Sequence, residues 1–199
     1  MIDWLLLDYG EVLSTAPPDA AFTELAVIAD VNRDEFRERY WRYRPDYDRG
    51  QTSERYWSGV LDRDLTRQRS VVERLTTVDI DGWSHMNPDS LRITLNFARH
   101  NHIRLALLSN APEPQADAIE DSHWARHFDH RFYSCRLRRN KPEAGAFTEA
   151  LSAMGAAPER VLFIDDRAEN TAAAADLGMT TITFTSAAAL RHQLTRAIG

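Results

Sequence analysis

The strongest constraint in this sequence is a set of short apolar runs that each stop abruptly at a polar side chain. Trp4-Leu5-Leu6-Leu7 runs into Asp8-Tyr9-Gly10-Glu11-Val12, Leu107-Leu108 into Ser109-Asn110, and Phe163-Ile164 into Asp165-Asp166. None of the runs alternates apolar with polar residues, so each reads as a strand buried on both faces, the signature of a parallel sheet covered by helices. All carboxyl ends of such a sheet lie on one edge, where ligands bind in open α/β folds. The polar residues that close the runs therefore converge.

The intervening segments carry helical spacing. Asn87 caps a helix whose first residue is Pro88. From there helices over 88–100, 114–126, 143–154 and 171–177 alternate with strands over 103–108, 131–135, 161–164 and 180–184, before a final helix. With the first run this gives an α/β fold, a Rossmann-like three-layer core with about five parallel strands. Residues 16–85 break the alternation. Apolar residues recur at helical spacing over 20–29, 33–43, 53–65 and 67–76, with breaks at Val31-Asn32, from Arg44-Pro45 through Gly50, and at Leu65-Thr66. The sequence thus predicts a core from residues 1–15 and 86–199 and a four-helix insertion from residues 16–85.

Composition narrows the function classes. A chain of 199 residues with 43% hydrophobic residues can bury one good core and a small second unit. No stretch reaches the roughly 20 apolar residues of a membrane helix, and no basic, apolar and cleavage-site leader opens the sequence. A net charge of -6 disfavours a nucleic-acid surface. The expectation is a cytoplasmic protein, monomer or homodimer, whose partner is a small molecule rather than nucleic acid or membrane. The single cysteine, Cys135, allows no internal disulfide and no thiolate cluster for zinc; with no base beside it, it reads as a packing residue.

The converging groups suit phosphoryl transfer. Lys141, in Arg139-Asn140-Lys141-Pro142-Glu143, opens the helix after the strand at 131–135 and joins the same edge. Carboxylates at close range raise one another's pKa unless a hard cation sits among them, and Mg²⁺ suits oxygen ligands. A carboxylate in line with phosphorus can attack it to give an aspartyl-phosphate, which splits the displacement into two easier steps. Ser109, backbone N–H groups at the next helix start, and Lys141 can hold the phosphate oxygens.

These motifs resemble those of the haloacid dehalogenase-like hydrolases. Asp8-Tyr9-Gly10-Glu11-Val12 looks like the first motif of that family, Ser109-Asn110 the second, Lys141-Pro142 the third, and Asp165-Asp166 with Asn170 the fourth. The insertion between the first two resembles the helical C1 cap of subfamily I. The resemblance implies that Asp8 is the nucleophile and a Mg²⁺ ligand, joined by the carbonyl oxygen of Gly10 and by Asp166. It implies that Asp165 supports the metal shell, that Ser109 and Asn110 contact phosphate, that Lys141 pairs with phosphate and Asp8, and that Asn170 braces the metal loop. The activity implied is a Mg²⁺-dependent phosphatase of a small phosphorylated metabolite.

Gly10 departs from the family pattern, in which phosphatases carry a second aspartate at that position as acid and then base. General acid catalysis is worth about 10²–10⁴-fold, so its loss matters. Three accounts stand: Glu11 or an ordered water substitutes; the leaving group is a good one, such as an anomeric sugar oxygen; or the protein binds phosphoesters, as a regulatory member, with little turnover. Family members with Asp-x-Gly here resemble sugar-phosphate phosphatases, which favours the second. A metal-independent haloacid dehalogenase is the remaining alternative, disfavoured because the Asp165-Asp166 pair would repel a carboxylate substrate.

Of the aromatic residues Tyr40, Trp41, Tyr43, Tyr47, Tyr56 and Trp57, most read as packing between the inserted helices. Arg42, Arg44 and Tyr47 precede or lie in the Pro-containing break and are, with Glu11, the specificity candidates. His123 and His127, four apart on a predicted helix, lack the glutamate of a zinc-protease motif and read with His130 as surface or helix-end residues. Arg136, Arg138 and Arg139 read as solvated.

Overall fold

The computed structural model describes residues 1–198. Five parallel strands, β1 (Trp4–Leu7), β2 (Arg104–Ser109), β3 (His130–Tyr133), β4 (Val161–Asp165) and β5 (Thr180–Thr183), form one sheet in the order β3-β2-β1-β4-β5. The chain builds outward from β1 in one direction and then returns to its other side with β4. Strand order therefore reverses between β1 and β4, and the crevice opened there lies just beyond Asp8 and Asp165.

Every residue of β1 is buried, which explains its lack of alternation. Leu5 and Leu7 face Ile93 and Ala98 of α5 (Pro88–Asn101) and Leu190 and Leu194 of α10 (Ala187–Ile198). Trp4 and Leu6 face the other way, onto Phe147, Ala150 and Leu151 of α8 (Ala144–Met154) and Ala174 of α9 (Ala168–Asp176). At roughly 25 cal/mol per Å² of apolar area, this two-sided burial is the main force fixing the strand in mid-sheet.

A third cluster belongs to α1 (Asp19–Ala29), α2 (Arg33–Asp48), α3 (Ser53–Leu61) and α4 (Arg69–Trp83), and is built on Phe22, Phe36, Tyr40, Tyr47, Tyr56, Trp57 and Leu75. Where the chain enters and leaves this unit, Ser14 and Met86 form an antiparallel bridge, reinforced by Thr15 N–H donating to the His85 carbonyl at 2.7 Å. The far side is tethered to the sheet as well. Ser134 Oγ donates to the Asp48 carbonyl (2.5 Å), Asn140 Nδ2 to the Pro45 carbonyl (2.7 Å) and Arg138 Nη1 to the Gly50 carbonyl (2.7 Å).

Several expected boundaries are corrected. α2 does not stop at Arg44-Pro45 but continues through Pro45 to Asp48. Proline costs an intrahelical hydrogen bond, yet Tyr40, Arg44 and Tyr47 lie on one buried face, and their packing outweighs the local penalty. α3 ends early, at Leu61, where Asp62 takes a left-handed φ of 51°, and α4 runs on to Trp83. The helix expected over 114–126 is only α6 (Glu113–Glu120), followed by a turn of 3₁₀ helix at Ala125–His127, so His123 and His127 do not share a helix. After β3 a short helix, α7 (Ser134–Leu137), takes up Cys135, and Lys141 lies in the loop between α7 and α8 instead of opening a helix. No helix of the described residues is long and apolar enough to cross a membrane.

Candidate active site

Asp8 follows the last residue of the central strand, its own N–H still bonded to the Ile164 carbonyl at 2.9 Å. Its Oδ1 accepts from Tyr9 N–H at 2.7 Å and lies 2.8 Å from Lys141 Nζ. The same ammonium sits 2.7 Å from Asp165 Oδ2. Lys141 is itself positioned by Asn110, whose amide donates to the Lys141 carbonyl (2.9 Å) and accepts from the Lys141 N–H (2.8 Å). Both polar atoms of that amide are thus committed to the Lys141 backbone. Asp165 is fully buried; its Oδ1 accepts from Arg167 N–H and from Asn170 Nδ2, each at 2.9 Å.

Charge is unbalanced here. Carboxylate oxygens of Asp8, Asp165 and Asp166 lie within 4.8 Å of one another, and three carboxylates against one ammonium leave two negative charges. Burial, with Asp165 and Asp166 adding to it against Lys141, pushes Asp8 up to about 7. Burial followed by Asp165 and Glu11 pushes Asp166 up to about 6. Lys141 goes the other way from what burial alone would give: Asp8 and Asp165 more than offset its desolvation and hold it above the usual lysine range. The cluster has the composition of a site for a hard divalent cation.

A cleft of about 130 Å³ opens onto these groups. Asp8, Gly10, Glu11, Ser109, Asn110, Lys141, Asp166 and Asn170 line it from the core, and Arg44 from the helical unit, so most of the sequence-derived candidates come together. Asp165 stays behind Lys141 and does not line it. Arg42 and Tyr47 do not reach it either. Arg42 is exposed and paired with Glu38 at 2.7 Å, while Tyr47 stacks on Tyr56 with ring centroids 4.1 Å apart and bonds Ser53 Oγ through its hydroxyl. The continuation of α2 as a helix puts Trp41, Arg44 and Asp48 on the cleft side, turns Tyr40 and Tyr47 into the core of the helical unit, and leaves Arg42 facing solvent.

Asp48, Trp83, Gln115 and Arg167 also line the cleft and were not anticipated; Trp41, from the aromatic stretch read mostly as packing, lines it too. Asp48 was within reach of sequence reasoning, since it stands four residues after Arg44, had the helix been carried past Pro45. Trp83 lay beyond the expected end of α4, and nothing local marks Gln115. The Gln115 amide is buried with neither Oε1 nor Nε2 hydrogen-bonded. An unpaired buried polar atom costs about 1–3 kcal/mol. Gln115→Leu is therefore expected to raise the thermal midpoint by about 2–12 °C, read by calorimetric or optical melting.

Residues 6–178 match the family model of haloacid dehalogenase-like hydrolases, and the chain belongs to that family. Over 75 residues it is 33% identical to bifunctional epoxide hydrolase 2 of Mus musculus, and equally to that of Rattus norvegicus. That match covers 38% of this chain and 14% of each relative. Similar solved structures include a HAD family enzyme from Bacteroides thetaiotaomicron (TM-score 0.74, 19% identity, 92% of this chain and 94% of that one). They also include a predicted HAD-like family hydrolase from Porphyromonas gingivalis (0.76, 23%, 100% and 98%) and a 2-haloacid dehalogenase from Pseudomonas syringae pv. Tomato (0.68, 17%, 98% and 99%). At these identities the likeness is one of fold. The Bacteroides enzyme has also been crystallised with magnesium and inorganic phosphate.

Proposed function

We propose that the protein is a Mg²⁺-dependent phosphatase of a small phosphorylated metabolite, acting through an aspartyl-phosphate on Asp8. The observation that carries this reading is the clustering of Asp8, Asp165 and Asp166 around the single Lys141 ammonium: fully ionised they leave two negative charges, which a dication would balance and a metal-free site would relieve by holding protons. Asp8, the Gly10 carbonyl and Asp166 would hold Mg²⁺; Asp165, already receiving three donors, stays with Lys141. When bound, Mg²⁺ supplies positive charge for the phosphate oxygens.

The chain's own groups divide the remaining work. Asp8 attacks phosphorus, Lys141 holds a phosphate oxygen and keeps Asp8 oriented, and Ser109, buried at the end of β2, donates its hydroxyl to another oxygen. Residues 16–85 serve as a cap over the core formed by residues 1–15 and 86–199, and Trp41 and Trp83 screen the reacting atoms from water. A sugar phosphate with an anomeric leaving oxygen fits a site whose core carries Gly10 at the acid position. That same glycine favours, as a second reading, a phosphoester-binding protein with little turnover. Haloacid dehalogenation is disfavoured because a carboxylate substrate would meet the uncompensated negative charge.

Phosphate release from a panel of phosphorylated metabolites, with Mg²⁺ and with EDTA, tests the reading; no Mg²⁺-dependent release from any of them would sink it. The electrostatics give an independent check. Because Asp8 and Asp166 are held up at about 7 and about 6, a cation must displace protons from them at lower pH. Mg²⁺ is expected to bind tightly at pH 8 and at least tenfold more weakly at pH 5.5, with proton release visible when titration calorimetry is repeated in buffers of different ionisation enthalpy. Equal affinity at the two pH values would contradict the assignment of these ligands.

A further inference from the structure

On the core side of the cleft, Gly10 leaves the leaving oxygen without an evident proton donor. The helical unit presents a carboxylate to the same space. Asp48, the last residue of α2, lines the cleft with Asp8, Ser109 and Lys141. Asp48 thus shares one cleft of about 130 Å³ with the groups that would hold the phosphate. The tethers from Ser134 to the Asp48 carbonyl and from Asn140 to the Pro45 carbonyl fix this end of α2 over the sheet edge, next to the Lys141 loop.

The surroundings of Asp48 raise the proton affinity of its carboxyl. Arg44 Nε donates to Asp48 Oδ1 at 2.7 Å, but Arg44 Nη1 also lies 3.3 Å from Asp79 Oδ1 on α4. Two buried carboxylates thus share one guanidinium, leaving one negative charge in excess. Tyr40 already spends its hydroxyl proton on Asp79 at 2.6 Å. Burial is the largest influence on Asp48 and holds its carboxyl above the usual carboxylate range; Asp79 adds to this, while Arg44 and, across the cleft, Arg167 oppose it. Glu11, the other carboxylate at the mouth, is exposed and stands near Asp166, on the cation side.

We propose that Asp48 is a catalytic residue of this site, the acid and then the base that the core lacks at Gly10. This rests on the phosphatase reading above. In the first step an Asp8 oxygen bonds to phosphorus, the bond from phosphorus to the leaving oxygen breaks, and the Asp48 proton passes to that oxygen to give the free alcohol. In the second a water oxygen bonds to phosphorus, its proton passes to the Asp48 carboxylate, and the bond from phosphorus to Asp8 breaks, releasing inorganic phosphate and restoring both carboxyl groups.

The test compares leaving groups. Asp48→Asn keeps the side-chain volume and an acceptor for Arg44. Its kcat/KM for alkyl phosphates, which need a proton on the departing oxygen, is expected to fall about 10²–10⁴-fold, with a loss at least tenfold smaller for 4-nitrophenyl phosphate, which leaves unprotonated. Gly10→Asp added to Asp48→Asn is expected to recover at least tenfold on alkyl phosphates; a Cβ at Gly10 would meet Trp83 Cζ3 at 3.5 Å, an ordinary contact. Should Asp48→Asn not fold, Asp48→Glu, which keeps the proton but moves the carboxyl, is read for the same selective loss. Equal losses on both substrate classes, in a protein whose wild type is active and whose Asp8→Asn form is dead, overturn the assignment of Asp48 alone. A wild type inert on both classes overturns the phosphatase reading and this assignment with it.

Discussion

Asp8→Asn is expected to lose Mg²⁺-dependent phosphate release by at least about 10⁴-fold while remaining folded. Asparagine keeps the shape and a hydrogen-bond acceptor but has no anionic oxygen to attack phosphorus. Lys141 retains Asp165 at 2.7 Å, so the variant leaves no buried ammonium alone. Stability should even improve without metal. Asp8 is held at about 7 in the folded protein against 3.8 as the ordinary value, so the folded state binds more protons than the unfolded one between those limits. Its ionisation therefore costs stability that grows as pH rises from about 4 through 7. Removing the group should raise the melting midpoint in EDTA at pH 8 and change it little at pH 4. Phosphate release within a hundredfold of wild type would place the nucleophile elsewhere.

Lys141→Met is expected to be the most destabilising single change in the site. The ammonium is buried and bridges Asp8 and Asp165, and methionine fills the space without the charge. Removing one partner of a buried ion pair costs about 3–5 kcal/mol, because the remaining charge is left uncompensated. In a chain of this size that is a fall of about 6–20 °C in the melting midpoint. The sign with pH follows from the same linkage. Losing the cation raises the carboxylates further, so the deficit is largest at pH 8 and shrinks as pH falls and Asp8 takes up its proton. Phosphate release is lost together with stability, and saturating Mg²⁺ recovers part of the midpoint but not the turnover. A variant as stable as wild type at pH 8 would mean that Lys141 does not compensate the cluster.

The sheet and its acidic edge were legible because they rest on short-range pattern. Strands buried on both faces leave unbroken apolar runs, and each run here points at its polar terminator: Asp8, Ser109 and Asp165. Lys141 was placed beside them by its position after the run at 131–135, and Asn170 only through the family resemblance. The division of labour within the cluster was not. Asp165 and Asp166 are adjacent and chemically identical, and only the fold turns one onto Lys141 and the other to the cleft. Asn110 stands in a motif that suggests phosphate, yet both ends of its amide hold the Lys141 backbone.

The helical unit shows the limit from the other side. Pro45 is a local stop signal, and reading it as one displaced Arg44 and Tyr47 into a loop and hid Asp48. Burial of Tyr40, Arg44 and Tyr47 against the other helices overrides that signal, since several aromatic contacts outweigh the roughly 3 kcal/mol a proline costs inside a helix. Sequence by itself determined the parallel sheet and the carboxylate cluster at its carboxyl edge, because periodicity and strand ends are properties of neighbouring residues. Tertiary structure alone decided which face of α2 meets that edge and which carboxylate it delivers there, because contacts such as Ser134 to Asp48, 86 residues apart, are fixed by packing that no local pattern records.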